Sequence, residues 1–288
     1  MEATLHQKSI RKDNPVLSKI LRVLMYVVLI ALAIFTLIPF VWMISSSLKL
    51  DREVFAYPMH WIPETIRWEN YSLIWTRIPL LTYFKNTAFI AIVVTLLQTL
   101  TSSFAAYAFA KLNFRGRDTL FLAYIATIAV PWQAYMLPQF IMMRSMGLYD
   151  TLWAMVVLQA FSAFGVFLMR QFYRGIPTEL CEAARLDGLS EYGIWARIML
   201  PLSKAAIATL VIFTFVGTWN DYMGPMIYLT RDVNKTVQVG LRRFIQENSS
   251  DYHLIMAASL CSLVPVSIMF LALQRYFIEG IATSGLKG

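Results

Sequence analysis

Six apolar blocks, each close to the length needed to cross a lipid bilayer, restrict this chain to one class of fold. They run roughly over 21–48, 86–110, 119–143, 152–169, 205–229 and 254–277. A hydrocarbon core about 30 Å thick takes about 20 apolar residues per helix, and only helices or closed barrels satisfy their backbone there. The expectation is an all-α, polytopic membrane protein of six transmembrane helices. Composition agrees: 58% of the 288 residues are hydrophobic and 15% charged, with a mean hydropathy of +0.57. Apart from Arg22 and Arg275 at block ends, Asp221 is the charged residue that falls inside a block.

Orientation follows from lysine and arginine, which favour the cytoplasmic side of membrane helices. Residues 1–22, up to the start of the first block, and alternate loops after it carry 15 of the 25 basic residues; Lys111, Arg115, Arg117, Arg170, Arg174, Arg185 and Arg197 are among them. Both termini and the loop between the fourth and fifth helices are therefore expected in the cytoplasm. The net charge of +8 is explained by this bias and by anionic lipid, with no need for nucleic acid. The first block is too long for a signal-peptide core of about 7–15 residues, so it reads as a retained helix. Cys181 falls in the cytoplasmic loop and Cys261 in the last helix, which argues against a disulfide.

Proline and glycine interrupt three of the six helices: Pro131 and Pro138 the third, Gly217 and Pro225 the fifth, Pro265 the sixth. Proline frees a carbonyl that a neighbour or water must satisfy, and broken helices often line pathways. The outer segment 49–83 carries Tyr57, Trp61, Trp68, Tyr71 and Trp75, and is expected to form a short amphipathic element at headgroup level.

The loop EAARLDGLSEYGIWARIMLP, residues 182–201, reads as two short helices and a turn. Thr178 is placed to cap the first, Gly188 to supply the left-handed residue that ends it, and Ser190 to cap the second. This knob presents Glu182 and Asp187. The loop closely resembles the EAA loop of bacterial ATP-binding-cassette importer permeases, which has the form E-A-A-x-x-x-G with Ile-x-Leu-Pro further along. Trp219-Asn220-Asp221-Tyr222 with Pro225 resembles a signature of the maltose-type carbohydrate group, and the end GIATSGLKG resembles the glycine-rich tail of that group's shorter permease. Ala205 departs from the family, which often has proline near that position, and this bears on the local helix start.

The resemblance implies a single transmembrane domain over 1–288, with its core at about 82–280. It implies a sugar or oligosaccharide importer whose ATP and magnesium are used by two separate ATPase subunits. A second, homologous permease and an extracytoplasmic solute-binding protein complete the assembly, in a bacterial cell membrane. Glu182, Ala183, Ala184, Asp187 and Gly188 become the ATPase-coupling candidates, with Ser284 and Gly285 in the tail. Pathway candidates are Gln98, Trp132, Gln133, Trp153, Gln159, Trp219, Asn220 and Asp221. A charge at the depth of Asp221 is costly against lipid. It is expected to face protein or water, bonded to Asn220, Trp219 or Tyr222 or to a helix terminus freed by Pro225.

Enzymatic chemistry finds no support. The chain has no Gly-Lys pair, hence no phosphate-cradling motif, and no Gly-x-Ser-x-Gly or His-Glu-x-x-His. His6, His60 and His253 are far apart, so no metal site and no cofactor bound by this chain is expected. Importers of another polar solute, such as a glycerol phosphate, amino acid or peptide, stay open. A proton- or sodium-coupled carrier would need inverted repeats and coupling carboxylates, which are not found.

Overall fold

A computed structural model describes residues 15–245 and 251–285, and the side chains of 18–245 and 251–276. Among the described residues the fold is all-helical. In chain order come α1 (Pro15–Ser47), α2 (Asp51–Val54), α3 (Glu69–Arg77), α4 (Leu80–Lys111), α5 (Arg117–Ala126), α6 (Trp132–Ser145), α7 (Leu152–Gln159), α8 (Ala163–Arg174) and α9 (Glu179–Leu186). Then follow α10 (Glu191–Ile194), α11 (Leu200–Leu202), α12 (Lys204–Trp219), α13 (Met223–Tyr228), α14 (Val237–Leu241) and α15 (Tyr252–Gly285).

Three helices, α1, α4 and α15, are each long and apolar enough to cross a membrane unbroken. Three bent pairs pass the same test together: α5 with α6, α7 with α8, and the 191–202 segment with α12, bent by 99°, 42° and 83°. Six spans are thus reached only by counting each pair as one. α4 is the hub, packed against α8 and α12, while α12 leans on α15 and α15 on α1 and α3. Most of α1 is exposed, because little of this chain packs against it except α15.

The breaks differ from those read off proline. Pro131 does sit at the α5–α6 bend, as the residue before α6. Pro265 lies inside α15 without breaking it, and Gly217 lies inside α12. In the fifth block the break falls at 220–222, with Pro225 inside α13. The fourth block, which contains no proline, breaks at 160–162. That break is held by polar partners. Gln98 on α4 donates to the Gln159 carbonyl at 2.9 Å and Thr101 to the Ala160 carbonyl at 2.9 Å. Ser162 then caps α8 by accepting the Gly165 amide at 3.0 Å. Each such interhelical bond in a membrane is worth about 0.6–2 kcal/mol.

The segment between α1 and α4, expected on the outer surface, contains two short helices, α2 and α3. Lys49 anchors it, donating to the His60 carbonyl at 2.5 Å and lying 4.2 Å over the Trp42 ring. Cys181 is buried beside Met199 and both cysteines are free.

Candidate functional site

Two places bear on the residues singled out from sequence: the knob of residues 178–202, and a polar cavity where the helices break.

The knob begins on α9, whose spacing sorts it into two faces. Cys181 and Ala184 point into a core shared with Tyr107, Tyr173 and Met199. Leu180, Glu182, Ala183, Leu186 and Asp187 point outward, and Leu186 is 90% exposed. Ala184 therefore packs inside this chain and does not open the surface for a partner, which corrects one of the coupling candidates. Thr178 does not cap α9 either: its backbone is already helical. Its hydroxyl instead accepts a bond from Lys111 at 3.3 Å, while the same ammonium reaches the Ile176 carbonyl at 2.5 Å.

Gly188 turns the chain with φ +84°, a left-handed value that side chains with a Cβ resist. Ser190 accepts the Gly193 amide at 3.3 Å and caps α10 as read from sequence. Beyond α10 the backbone widens into a π-turn over 195–199, where the Leu200 amide reaches the Trp195 carbonyl. A five-residue spacing suits Pro201, which has no amide to give. The helix therefore runs one residue past Pro201 and ends at Ser203, and α12 starts beside Ala205 without a proline.

One connection was not foreseen. Glu191 accepts from Arg185 at 2.6 and 3.2 Å and from the Tyr107 hydroxyl on α4. It ties both halves of the knob to the membrane hub. The signal was present as a carboxylate six residues after an arginine, but sequence did not show that Tyr107 faced it.

The cavity, of about 300 Å³, is lined by Gln98, Trp132, Tyr135, Gln139, Gln159, Asp221 and Tyr228, with Met155 and Leu158 among its apolar members. Its polar groups form a ladder. Thr214 donates to Gln98 at 2.6 Å, and Thr218 donates to Gln159 at 3.0 Å. Gln159 in turn donates to Asp221 at 3.0 Å. The other Asp221 oxygen accepts the Gly224 amide at 3.1 Å, at the start of α13. A Cβ on Gly224 would lie 2.6 Å from the Asp221 carboxylate and 2.7 Å from Met155, so only glycine lets the chain approach this closely. Trp132 donates to Gln139 at 3.0 Å.

Four of the eight pathway candidates, Gln98, Trp132, Gln159 and Asp221, thus meet at one cavity. The other four do not. Gln133 is exposed on the opposite side of α6. Trp153 is half-exposed and packs edge-on against Phe89. Trp219 is buried, bonded to Ser262 at 3.1 Å and stacked on Phe215. Asn220 accepts from Gln238 at 3.1 Å, away from the cavity. Asp221 uses a helix terminus and a glutamine, not Asn220, Trp219 or Tyr222. Tyr135, Gln139, Thr214 and Thr218 were missed, since an isolated hydroxyl or amide in a helix gives no periodic signal.

Residues 98–283 match the family described as binding-protein-dependent transport system inner membrane component. The chain belongs to this family. The permease is 33% identical over 281 residues to the arabinooligosaccharides transport system permease protein AraQ of Halalkalibacterium halodurans, covering 96% of this chain and 99% of that one. It is 34% identical over 255 residues to the melibiose/raffinose/stachyose import permease protein MelC of Bacillus subtilis, covering 87% and 91%. Its fold superposes with a TM-score of 0.80, at 25% identity, on a bacterial ABC transporter chain involved in the import of the acidic polysaccharide alginate, covering 96% of this chain and all of that one. The permease is a membrane transport component and not an enzyme.

Proposed function

We propose that this permease carries a neutral oligosaccharide into the cell as one half of a permease pair driven by two ATPase subunits. The observation that carries the reading is the cavity: the aromatic side chains of Trp132 and Tyr135 and amides (Gln98, Gln139, Gln159) converge on it, and no lysine or arginine lines it among the described residues. Sugars bind through such faces and amides, whereas an anionic solute calls for a cation. The absence of one there, with Asp221 present, speaks against a glycerol phosphate or an acidic saccharide. The names of two relatives, transporters of arabinooligosaccharides and of melibiose, raffinose and stachyose, support a saccharide, and the neutral charge rests on the cavity alone.

In this reading the chain is one transmembrane domain of six spans in a bacterial cell membrane. Its core lies at about 82–280, and both termini and segment 1–19 are cytoplasmic. The knob is the coupling element. Leu180, Ala183 and Leu186 seat against an ATPase subunit, Glu182 pairs with a basic residue there, and Gly188 holds the turn. ATP and magnesium stay on those subunits, and this chain binds no cofactor. A solute-binding protein delivers the sugar, and ATP-driven closure reverses access through a bistable packing of the two permeases. Of the tail candidates, Ser284 and Gly285 continue α15 in backbone, while Lys287 and Gly288 lie outside the described residues.

The reading is tested by reconstituting the complex with its binding protein and measuring saccharide-stimulated ATP hydrolysis. Neutral oligosaccharides are expected to stimulate it and uronic-acid oligosaccharides are not; stimulation by the acidic class alone contradicts the assignment.

A further inference from the structure

A second cavity, of about 280 Å³, lies at the far end of the hub helix from α3, where α4 ends, α5 begins and α8 ends. Its polar wall consists of Arg117, Arg170 and Arg174 around the single carboxylate of Asp118, and its apolar wall of Phe109, Phe121 and Leu122.

Arg170 is the fixed element. Its side chain is 9% exposed. It donates to the Phe109 carbonyl at 3.1 Å and to Asp118 at 2.8 Å, and it lies 3.8 Å over the Phe121 ring. Arg117 reaches the same carboxylate at 3.4 Å. Arg174 is exposed and has no ion pair among the described residues. Three guanidinium groups thus face one carboxylate, leaving an excess of two positive charges in a preformed pocket.

The surroundings indicate the kind of anion. Along α5, Leu122 at the pocket wall and Leu120 beyond it are 66% and 56% exposed, on a segment that pairs with α6 as a bent membrane span. A bound group would have its charge at the arginines and apolar surface running away along α5. A soluble nucleotide or free phosphate has no use for the second feature; a lipid needs both. Arginine suits a phosphodiester, because its planar fork matches two oxygens at once.

We propose that this pocket binds the phosphodiester of an anionic phospholipid, with Arg117 and Arg174 contacting the phosphate and Arg170 positioning Asp118 and the aromatic floor. The site joins the ends of α4, α5 and α8, so its occupant clamps the bent α5–α6 pair to the hub.

The intact transporter, placed in phosphatidylcholine nanodiscs containing a minor fraction of phosphatidylglycerol, provides the test, with retained lipids counted by native mass spectrometry. Wild type is expected to retain phosphatidylglycerol in preference to phosphatidylcholine. Affinity should fall about fivefold for each of Arg117→Gln and Arg174→Gln, with an unchanged unfolding temperature in pure phosphatidylcholine. Equal retention of the two lipids, or unaltered retention in the double variant, overturns the proposal. So does release of the lipid by excess inorganic phosphate, which identifies a soluble-anion site, or loss of binding accompanied by a lowered unfolding temperature, which makes the arginines structural.

Discussion

Arg185 donates to Glu191 at 2.6 Å across the turn made by Gly188, and Tyr107 of the membrane hub meets the same carboxylate. One acidic side chain thus fixes the angle between the two halves of the knob and their seat on α4. Both partners of the ion pair are about one-third exposed or more, so the pair itself contributes less than about 1 kcal/mol. Its importance lies in position. Glu191→Gln is expected to leave assembly intact and lower the unfolding temperature little, while reducing transported saccharide per ATP hydrolysed. An unchanged ratio would show that the knob needs no such tether.

Leu186 separates docking from stability. A side chain 90% exposed adds almost nothing to this chain's own packing, so Leu186→Ser should leave the isolated permease as stable as wild type, within about 0.5 kcal/mol. Co-purification of the ATPase subunits should nonetheless fall. Ala184→Leu is its converse: at 4% exposure the larger side chain overpacks the core and costs roughly 1–3 kcal/mol. Retained co-purification in Leu186→Ser would place the interface elsewhere.

The pattern of these two residues shows what was legible in the sequence. The knob's position, the Gly188 turn and the Ser190 cap could be read because each rests on local backbone chemistry. Which alanine faces out could not, because that depends on where α4 and α12 lie. The six apolar blocks likewise located the helical segments, but the break at 160–162 carries no proline. It is set by Gln98 and Thr101, more than fifty residues away in sequence.

Asp221 accepts bonds from Gln159 and Gly224. Asp221→Asn keeps an acceptor for the Gly224 amide and should retain a substantial part of transport. Asp221→Leu removes the acceptor of the buried Gly224 amide, at roughly 1–3 kcal/mol, and the acceptor of the Gln159 side-chain NH2, and should lower both stability and uptake. Wild-type uptake by the leucine variant would remove Asp221 from any structural or pathway role.

Asp150, between α6 and α7, joins its own loop to the one that follows α13. It accepts the amides of Thr230 and Arg231 at 2.9 and 3.1 Å and the Arg231 guanidinium at 2.5 Å. Burial works against its charge, but these bonds to Arg231, Asn234 and Thr230 prevail and hold its pKa at about 2. A depressed carboxylate stabilises the fold fully above its unfolded value, about 3.9, and loses that contribution as pH falls through about 2. Asp150→Asn tolerates the positive φ of this residue, as asparagine does, and removes the charge together with one of the two acceptor oxygens. Its stability deficit, measured by unfolding, should therefore be present at pH 7 and shrink toward pH 2. A deficit independent of pH would contradict the role of the charge.

In the proposed function the knob couples ATP hydrolysis on partner subunits to saccharide movement through this chain. Uptake of a labelled neutral oligosaccharide into proteoliposomes bearing the full complex, with ATP at the ATPase face and binding protein at the other, measures it directly. Wild type should show saturable uptake that requires both. Gly188→Pro, which cannot adopt φ +84°, should insert normally and show none. Uptake that persists in Gly188→Pro, or that an ion gradient drives without ATP, would contradict the account.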